Sequence, residues 1–359
     1  MTKKIVFSSG GTGGHIFPAI NLMKYFSDLG YEVLLVTDRR GKSFLKDHRL
    51  FKSHIIMTDT PTNKKFFGKI ISFLKIIFSI INSIIILKKE KPDLIIGFGG
   101  YVSFPISFSS IFFKIPLVIY ENNIVLGRTN KILLNFSKKF LLGTTIPINF
   151  PKKYEKQVYE VGSILDEKII KYSAPGKRDE SKVFTILVLG GSQGAEIFGK
   201  VVPLTVEMLK NKQFEIEINQ QCIKNQESSL VEFYKTKNIK YNVFKFTDNI
   251  LDLISRTDLA ISRCGASTTA ELVQTLTPFI AIPYPYSIDN HQYLNARYYE
   301  RKGCCWVVKQ EDFTSVKLFN LLMEIIKDRK KLENVRENMK KNGSKNVYAK
   351  IEKAIKEFI

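Results

Sequence analysis

Two doubly wound α/β domains, each with a parallel sheet, are the fold class this sequence predicts. Three observations predict it. Short apolar runs alternate with helical segments along the whole chain. A buried run leading into a glycine-rich loop occurs at residues 5–14 and again from residue 184. The chain has 359 residues, 44% hydrophobic and 25% charged, enough for two ordinary cores.

Residues 5–9 read as a buried strand and residues 18–29 as a helix with proline in its first turn. Further strands are expected at 32–37, 94–97, 117–120, 185–189, 215–219, 259–262 and 279–283. Most are unbroken apolar runs, as parallel strands covered on both faces require. The polar stretch 172–182, with Pro175 and Gly176, reads as a linker or loop between the halves. The expected domains are residues 1–163 and 164–339, with a Lys-rich C-terminal helix from about residue 340 packing back on the first.

The formal net charge is +21, from 55 Lys and Arg against 34 Asp and Glu. That favours an anionic partner: a nucleic acid, a phospholipid surface or a phosphorylated substrate. Charge alone supports nucleic acid, without an aromatic-basic signature, so no nucleic-acid partner is expected. Cys222, Cys264, Cys304 and Cys305 lack metal-ligand spacing and read as free thiols in a reducing compartment. The apolar stretch after Met1 is too short for a signal peptide, which points to the cytoplasm.

Residues 64–89 stand apart, being dominated by Ile, Phe and Leu. Lys65, Lys69, Ser72, Lys75, Ser79, Asn82 and Ser83 recur every three or four residues, which predicts a helix with a narrow polar stripe. The longest uncharged run is 12 residues, short of the roughly 20 that span a bilayer. Either the helix is buried between the sheet and its neighbours, or it lies in the membrane interface with its lysines on anionic lipid.

Three loops join a strand end to a helix start. Gly10-Gly11-Thr12-Gly13-Gly14-His15 offers free backbone N–H groups and a helix dipole to a negative group. His15 is a candidate general base, or a histidine bonded to backbone. Gly190-Gly191-Ser192-Gln193-Gly194 repeats the architecture, with the Ser192 hydroxyl suited to a phosphate oxygen. In the third, Arg263-Cys264-Gly265 leads into Ala266, Ser267 and Thr268, another helix start that favours anions. Glu271, about a turn further on, suits a ribose diol or complements the helix dipole. Asp289-Asn290-His291-Gln292 places amides and an imidazole beyond a strand, suited to sugar hydroxyls, while Gly97-Phe98-Gly99-Gly100-Tyr101 and Glu121-Asn122-Asn123 close two more strands. Asp-x-Asp, His-x-x-x-His and Cys-x-x-Cys do not occur. No metal or cofactor is therefore expected, and leaving-group charge falls to helix N-termini and neutral donors.

Taken in order, these motifs resemble the MurG family of undecaprenyl-diphospho-muramoylpentapeptide N-acetylglucosaminyltransferases. The resemblance rests on Gly10–Pro18, Gly99-Gly100-Tyr101, Glu121-Asn122-Asn123, Gly190–Ala195, Arg263–Thr268 and Asp289–Gln292, spread over nearly the whole chain. It implies a GT-B fold, two Rossmann-like domains facing across a cleft, with the donor held mainly by the second. It implies UDP-N-acetylglucosamine as donor and undecaprenyl-diphospho-N-acetylmuramoyl pentapeptide as acceptor, at the cytoplasmic face of the cell membrane. The acceptor 4-hydroxyl would displace UDP with inversion. Ser192 would meet the diphosphate, Ile250 the uracil through its backbone, and Glu271 the ribose. Gln292 and Asn123 would reach the donor sugar, with His291 beside them. Thr12, Gly13 and Gly14 would line the acceptor side, with His15 as base and Glu121 as a second catalytic candidate.

The chain departs from the family pattern at several positions. Gly162-Ser163-Ile164-Leu165-Asp166 stands where Gly-Asn-Pro-Val-Arg is usual, so an anion replaces a donor-contacting cation. Tyr120 replaces a frequent His, Glu196 an Arg, and His291 a Gln. Two alternatives remain: a GT-B transferase with another acceptor such as a glycolipid, and a UDP-sugar epimerase.

Overall fold

The computed structural model describes residues 2–11, 13–45, 51–59, 65–148, 150–172, 183–191, 194–247 and 249–359. The chain divides into two compact units, Met1–Asp166 with Ser344–Ile359, and Glu167–Gly343.

In the first unit β1 (Lys4–Ser8), β2 (Glu32–Thr37), β3 (Lys52–Ile55), β4 (Leu94–Gly97), β5 (Leu117–Glu121), β6 (Lys139–Leu142) and β7 (Val158–Glu160) form one sheet. Its order is β3-β2-β1-β4-β5-β6-β7, and every pair is parallel. The connections carry α1 (Gly13–Asp28), α2 (Arg39–Lys42), α3 (Phe66–Glu90), α4 (Ser103–Ser109) and α5 (Arg128–Leu133).

The second unit opens with α6 (Glu167–Ile170) and continues through β8 (Val183–Leu189), α7 (Glu196–Asn211), β9 (Glu215–Gln221), α8 (Glu227–Thr236) and β10 (Lys240–Phe244). It then runs through α9 (Ile250–Arg256), β11 (Leu259–Ser262), α10 (Ala266–Gln274), β12 (Phe279–Ala281), α11 (His291–Arg301) and β13 (Cys305–Val307). Helices α12 (Ser315–Lys327) and α13 (Lys330–Asn342) close it. Its sheet has the order β10-β9-β8-β11-β12-β13, again all parallel. Of the expected linker, residues 173–182 lie outside the described residues, and the chain passes between units at Asp166–Glu167.

Alternation of side chains explains why these strands are apolar throughout. In β8, Phe184, Ile186 and Val188 join one buried cluster, while Leu187 and Leu189 join another on the opposite face. In the first unit Val6, Leu34, Ile95, Ile119 and Phe140 build one such cluster across five strands.

Both sheets reverse direction of winding beside their first strand, between β1 and β4 and between β8 and β11. Ligands of doubly wound sheets bind beyond the strand ends at such points, because neighbouring connections leave on opposite faces and open a crevice. The glycine loops after β1 and after β8 both sit there. Helix α1 begins at Gly13, inside its loop and earlier than the expected start at residue 18, leaving Pro18 within the helix.

After α13 the chain returns to the first unit as α14 (Val347–Ile355). Tyr25 donates to Glu352 Oε2 (2.8 Å), Tyr348 to the Leu165 carbonyl (2.6 Å) and Lys139 to the Ala354 carbonyl (2.6 Å). The four cysteines are free and buried.

Candidate functional site

In the first unit the loop after β1 is pressed against the ends of β2 and β4. A Cβ on Gly10 would lie 3.0 Å from Val102 Cγ2 and 3.1 Å from both Asp38 Oδ1 and Thr37 Oγ1, so a larger residue would press on all three. Gly11 adopts φ +78°, the left-handed region that glycine enters without strain. Gly13 is buried, Gly14 exposed and His15 half-buried in the first turn of α1; Thr12 lies outside the described residues. Gly100, at φ +74°, faces the imidazole: its Cβ would sit 3.5 Å from His15 Cδ2.

Asp38 joins the pieces. The Gly41 and Gly11 N–H groups donate to its Oδ1 (2.6 and 3.4 Å), and the Tyr101 hydroxyl donates to its Oδ2 (3.0 Å). Burial, reinforced by the neighbouring carboxylate, pushes the Tyr101 phenol up to about 12.

Glu121 ends β5 and is buried. The Asn123 N–H and Nδ2 donate to its Oε1 (3.1 and 3.0 Å), and the Gly127 N–H and Asn130 Nδ2 donate to its Oε2 (both 2.9 Å). Four neutral donors thus occupy a carboxylate that orders residues 121–130 and fixes Asn123, a geometry that suits positioning better than proton transfer. Asn130 also touches the glycine turn, since a Cβ on Gly99 would lie 3.1 Å from its Nδ2. His15, Gly100, Asn130, Glu121 and Asn123 therefore form a continuous chain of neighbours in one unit.

In the second unit a Cβ on Gly190 would collide with the Ala195 N at 2.5 Å, so this turn is closed to larger residues. The Gln221 side chain holds it: its Oε1 accepts from Gly190 N–H (2.9 Å) and its Nε2 donates to the Gly191 carbonyl (3.2 Å). Ser192 and Gln193 lie outside the described residues. Beneath the loop Arg263 is buried, donating to the Ile282 and Pro283 carbonyls (3.1 and 3.2 Å) and to Gln310 Oε1 (2.6 Å). Its guanidinium lies over the Phe198 and Tyr284 rings, and burial pulls its pKa below the usual arginine range.

Helix α10 starts where the expectation placed it, with Gly265 as N-cap. Its backbone ladder begins with Thr269 N–H to the Gly265 carbonyl (3.0 Å), so the N–H groups of half-buried Ala266, Ser267 and Thr268 have no acceptor within the helix. The Ser267 hydroxyl is buried without a protein partner among the described residues. Glu271 is half-buried in the next turn, and Ile250 opens α9.

Gln292 Oε1 accepts from the Cys264 and Tyr284 N–H groups (3.2 and 3.0 Å), so what it offers a ligand is its Nε2 donors. Buried Asn295 donates to the Cys264 carbonyl (3.2 Å) and steadies the same turn. His291 Nδ1 meets the Ile288 carbonyl (2.8 Å); a carbonyl only accepts, so Nδ1 carries the proton. Asp289 and Asn290 precede it at φ +52° and +56°. Sequence reasoning missed Asp38, Asn130, Gln221 and Asn295, whose polar side chains act on backbone remote in sequence. Among the described residues no group of three or more His, Cys, Asp or Glu is placed to hold a metal ion.

Helix α3 is amphipathic in the reverse sense to a surface helix in water. Ser72, Ser79 and Ser83 are buried, their hydroxyls donating to the Gly68, Lys75 and Ser79 carbonyls. Phe66, Phe67, Phe73, Leu74, Phe78 and Ile85 are at least 60% exposed. The polar stripe expected from the sequence thus splits: its serines face the protein, packed toward α4, and its lysines Lys65, Lys69 and Lys75 are exposed. Lys64 lies outside the described residues. Exposed Ile111 and Phe112, just after α4, add to the apolar surface of this unit.

Residues 5–142 match the glycosyltransferase family 28 N-terminal domain, and residues 185–352 its C-terminal domain. A protein of Rickettsia bellii (strain RML369-C), named UDP-N-acetylglucosamine–N-acetylmuramyl-(pentapeptide) pyrophosphoryl-undecaprenol N-acetylglucosamine transferase, is 35% identical over 98% of this chain and all of its own length. The chain belongs to glycosyltransferase family 28. A protein of the same name from Pelagibacter ubique (strain HTCC1062) is 35% identical, covering 98% of this chain and 97% of its own. The crystal structure of Acinetobacter baumannii MurG superposes with a TM-score of 0.80 at 23% identity, covering 99% of each chain, a likeness of fold. This family 28 glycosyltransferase thus has the two parallel-sheet domains expected of a GT-B enzyme.

Proposed function

We propose that this enzyme transfers N-acetylglucosamine from UDP-N-acetylglucosamine to the 4-hydroxyl of an undecaprenyl-diphosphate-linked N-acetylmuramoyl pentapeptide, a step of peptidoglycan synthesis. The observation that carries this is full-length identity of 35% to transferases named for that donor and acceptor, in a chain whose glycine loops fall at both switch points. In the second unit, the Gly190–Ala195 loop and the α10 N-terminus with Ser267 receive the UDP diphosphate, with Arg263 supplying positive potential from below. Glu271 takes the ribose, the Ile250 backbone the uracil, and Gln292 with His291 the donor sugar. Phosphate charge that develops as UDP leaves is met by these donors.

In the first unit, the Gly13–His15 turn receives the acceptor, and His15 is the base for its hydroxyl. Asn123 contacts the sugar, and Glu121 acts by holding Asn123 rather than by moving a proton. Helix α3 rests on the cytoplasmic face of the membrane. Its apolar side enters the lipid interface, and Lys65, Lys69, Lys75, Lys88 and Lys89 meet anionic headgroups. Serines inside and phenylalanines outside suit a helix whose outer solvent is apolar.

The test is UDP release from UDP-N-acetylglucosamine with and without the lipid-linked muramoyl acceptor. Release that requires the acceptor is expected. Release that is independent of it, or conversion of the free donor, removes the assignment.

A further inference from the structure

We propose that Asp38 is a positioning residue for the His15 site, acting with Tyr101 as a brace across the acceptor side of the first unit; this rests on the reading of that site given above.

Three chain segments converge on this carboxylate. The loop after β1 reaches it through the Gly11 N–H, α2 through the Gly41 N–H, and the turn after β4 through the Tyr101 hydroxyl. There is no slack between them. A Cβ on Gly41 would lie 1.9 Å from Thr37 Oγ1 and 3.2 Å from Gly10 Cα. A Cβ on Gly11 would lie 3.5 Å from the Tyr101 ring. The glycine turn carrying Tyr101 is the one that lies against the His15 imidazole. Asp38 therefore ties both neighbours of His15, the strand-end loop before it in sequence and the turn beside it in space.

Capping of α2 does not account for this arrangement. A cap needs one oxygen, and Oδ1 supplies it to Gly41 at 2.6 Å. Oδ2 is turned to Tyr101, a residue 63 positions away, in a bond that no helix requires. Burial first, and then the Asp38 carboxylate, raise the phenol's pKa, with Arg40 opposing and Asp59 adding to them, so the hydroxyl keeps its proton and stays a donor. The brace is thus a hydrogen bond from a protonated phenol to Oδ2. Its effect is on geometry: a base must lie within hydrogen-bond reach of its proton, and loss of the brace frees the loop that sets that distance.

The experiment compares D38N, Y101F and the double variant in acceptor-dependent UDP release, with UDP affinity by calorimetry and thermal unfolding alongside. Asparagine keeps an oxygen for the α2 cap, and Y101F removes only the bond to Oδ2. We expect kcat to fall about tenfold or more in each single variant, with UDP affinity unchanged and the double variant no worse than D38N. Wild-type kcat in Y101F, losses that multiply in the double variant, or a loss confined to UDP affinity or melting temperature would overturn the proposal. If D38N does not fold, Y101F alone decides it by the same kcat criterion. Wild-type enzyme without acceptor-dependent release would instead sink the function itself, which separates the two failures.

Discussion

His15 and Glu271 are the residues on which the proposed division of labour between the units turns. On the proposed reading, His15→Ala removes the base, which belongs to the first unit. Transfer should slow by about 10²–10⁴-fold, with UDP affinity by calorimetry nearly unchanged; normal turnover would exclude His15 as base. Glu271→Ala acts on the other side. Loss of a charged hydrogen-bond acceptor for the ribose should weaken UDP binding by about tenfold or more, roughly 1.5–3 kcal/mol. Unchanged affinity would remove Glu271 from the donor site. Both residues are candidates from the sequence because each follows a strand–glycine–helix signal that is local. Asp38 and Gln221 were not. Each does its work through a side-chain oxygen on backbone 27 or 31 residues away, and a polar residue ending a strand looks the same with or without that bond. Glu121 was legible as a strand-end carboxylate but not in its role, which depends on four donors that only the folded loop assembles.

Helix α3 gives the sharpest test at the scale of one element. In a helix facing water, deleting an inner group costs stability and changing an outer one does not; here the inner group is small and polar. Ser79→Leu should destabilise the first unit by about 1–3 kcal/mol through overpacking, whereas Phe73→Ser should leave urea stability nearly untouched and weaken vesicle binding. Equal unfolding midpoints for the two would contradict the burial. The far end of α3 is pinned by an ion cluster. Glu90 is buried yet receives Lys52 (2.7 Å), His54 (2.9 Å) and Lys4 (3.2 Å). Burial alone would raise its pKa; those bonds outweigh it and hold it at about 2. A depressed carboxylate stabilises the fold above its unfolded pKa, near 4.5, and loses that contribution as pH falls toward 2. The stability gap between wild type and Glu90→Gln, at most about 3 kcal/mol, should therefore shrink between pH 5 and 2 in urea titrations. A constant gap would mean that the cluster contributes packing only. Five strands were missed from the sequence. Strands β3, β7, β10 and β13 are the sheet edges with one neighbour each, and all but the three-residue β13 have mixed polar sequences such as Lys52–Ile55; β6 is interior, between β5 and β7, and is only four residues long. The apolar run that marks a central strand is absent where only one side must be covered.

At the scale of the whole molecule, the surplus of positive charge and the apolar face of α3 would be two contributions to the proposed membrane association, and salt separates them. Binding to anionic vesicles should weaken between about 50 and 500 mM salt, because screening removes the headgroup attraction. A residual affinity that survives high salt, and is lost on changing Phe73 and Phe78 to Ser, belongs to the apolar face. Binding indifferent to both changes would remove α3 as the membrane contact. The two-domain plan was legible throughout, since the strand-and-glycine pattern occurs twice.

The return of the chain to the first unit has a consequence for how the protein is made. Helix α14 buries Val347, Tyr348, Ile351 and Ile355, and its partners Tyr25 and Lys139 belong to the earliest part of the chain. On the ribosome that part waits, with the seat for α14 uncovered, while the whole of the second unit is synthesised. The first unit to begin folding is therefore the last to finish, and an interrupted translation product carries an open apolar seat that marks it as incomplete.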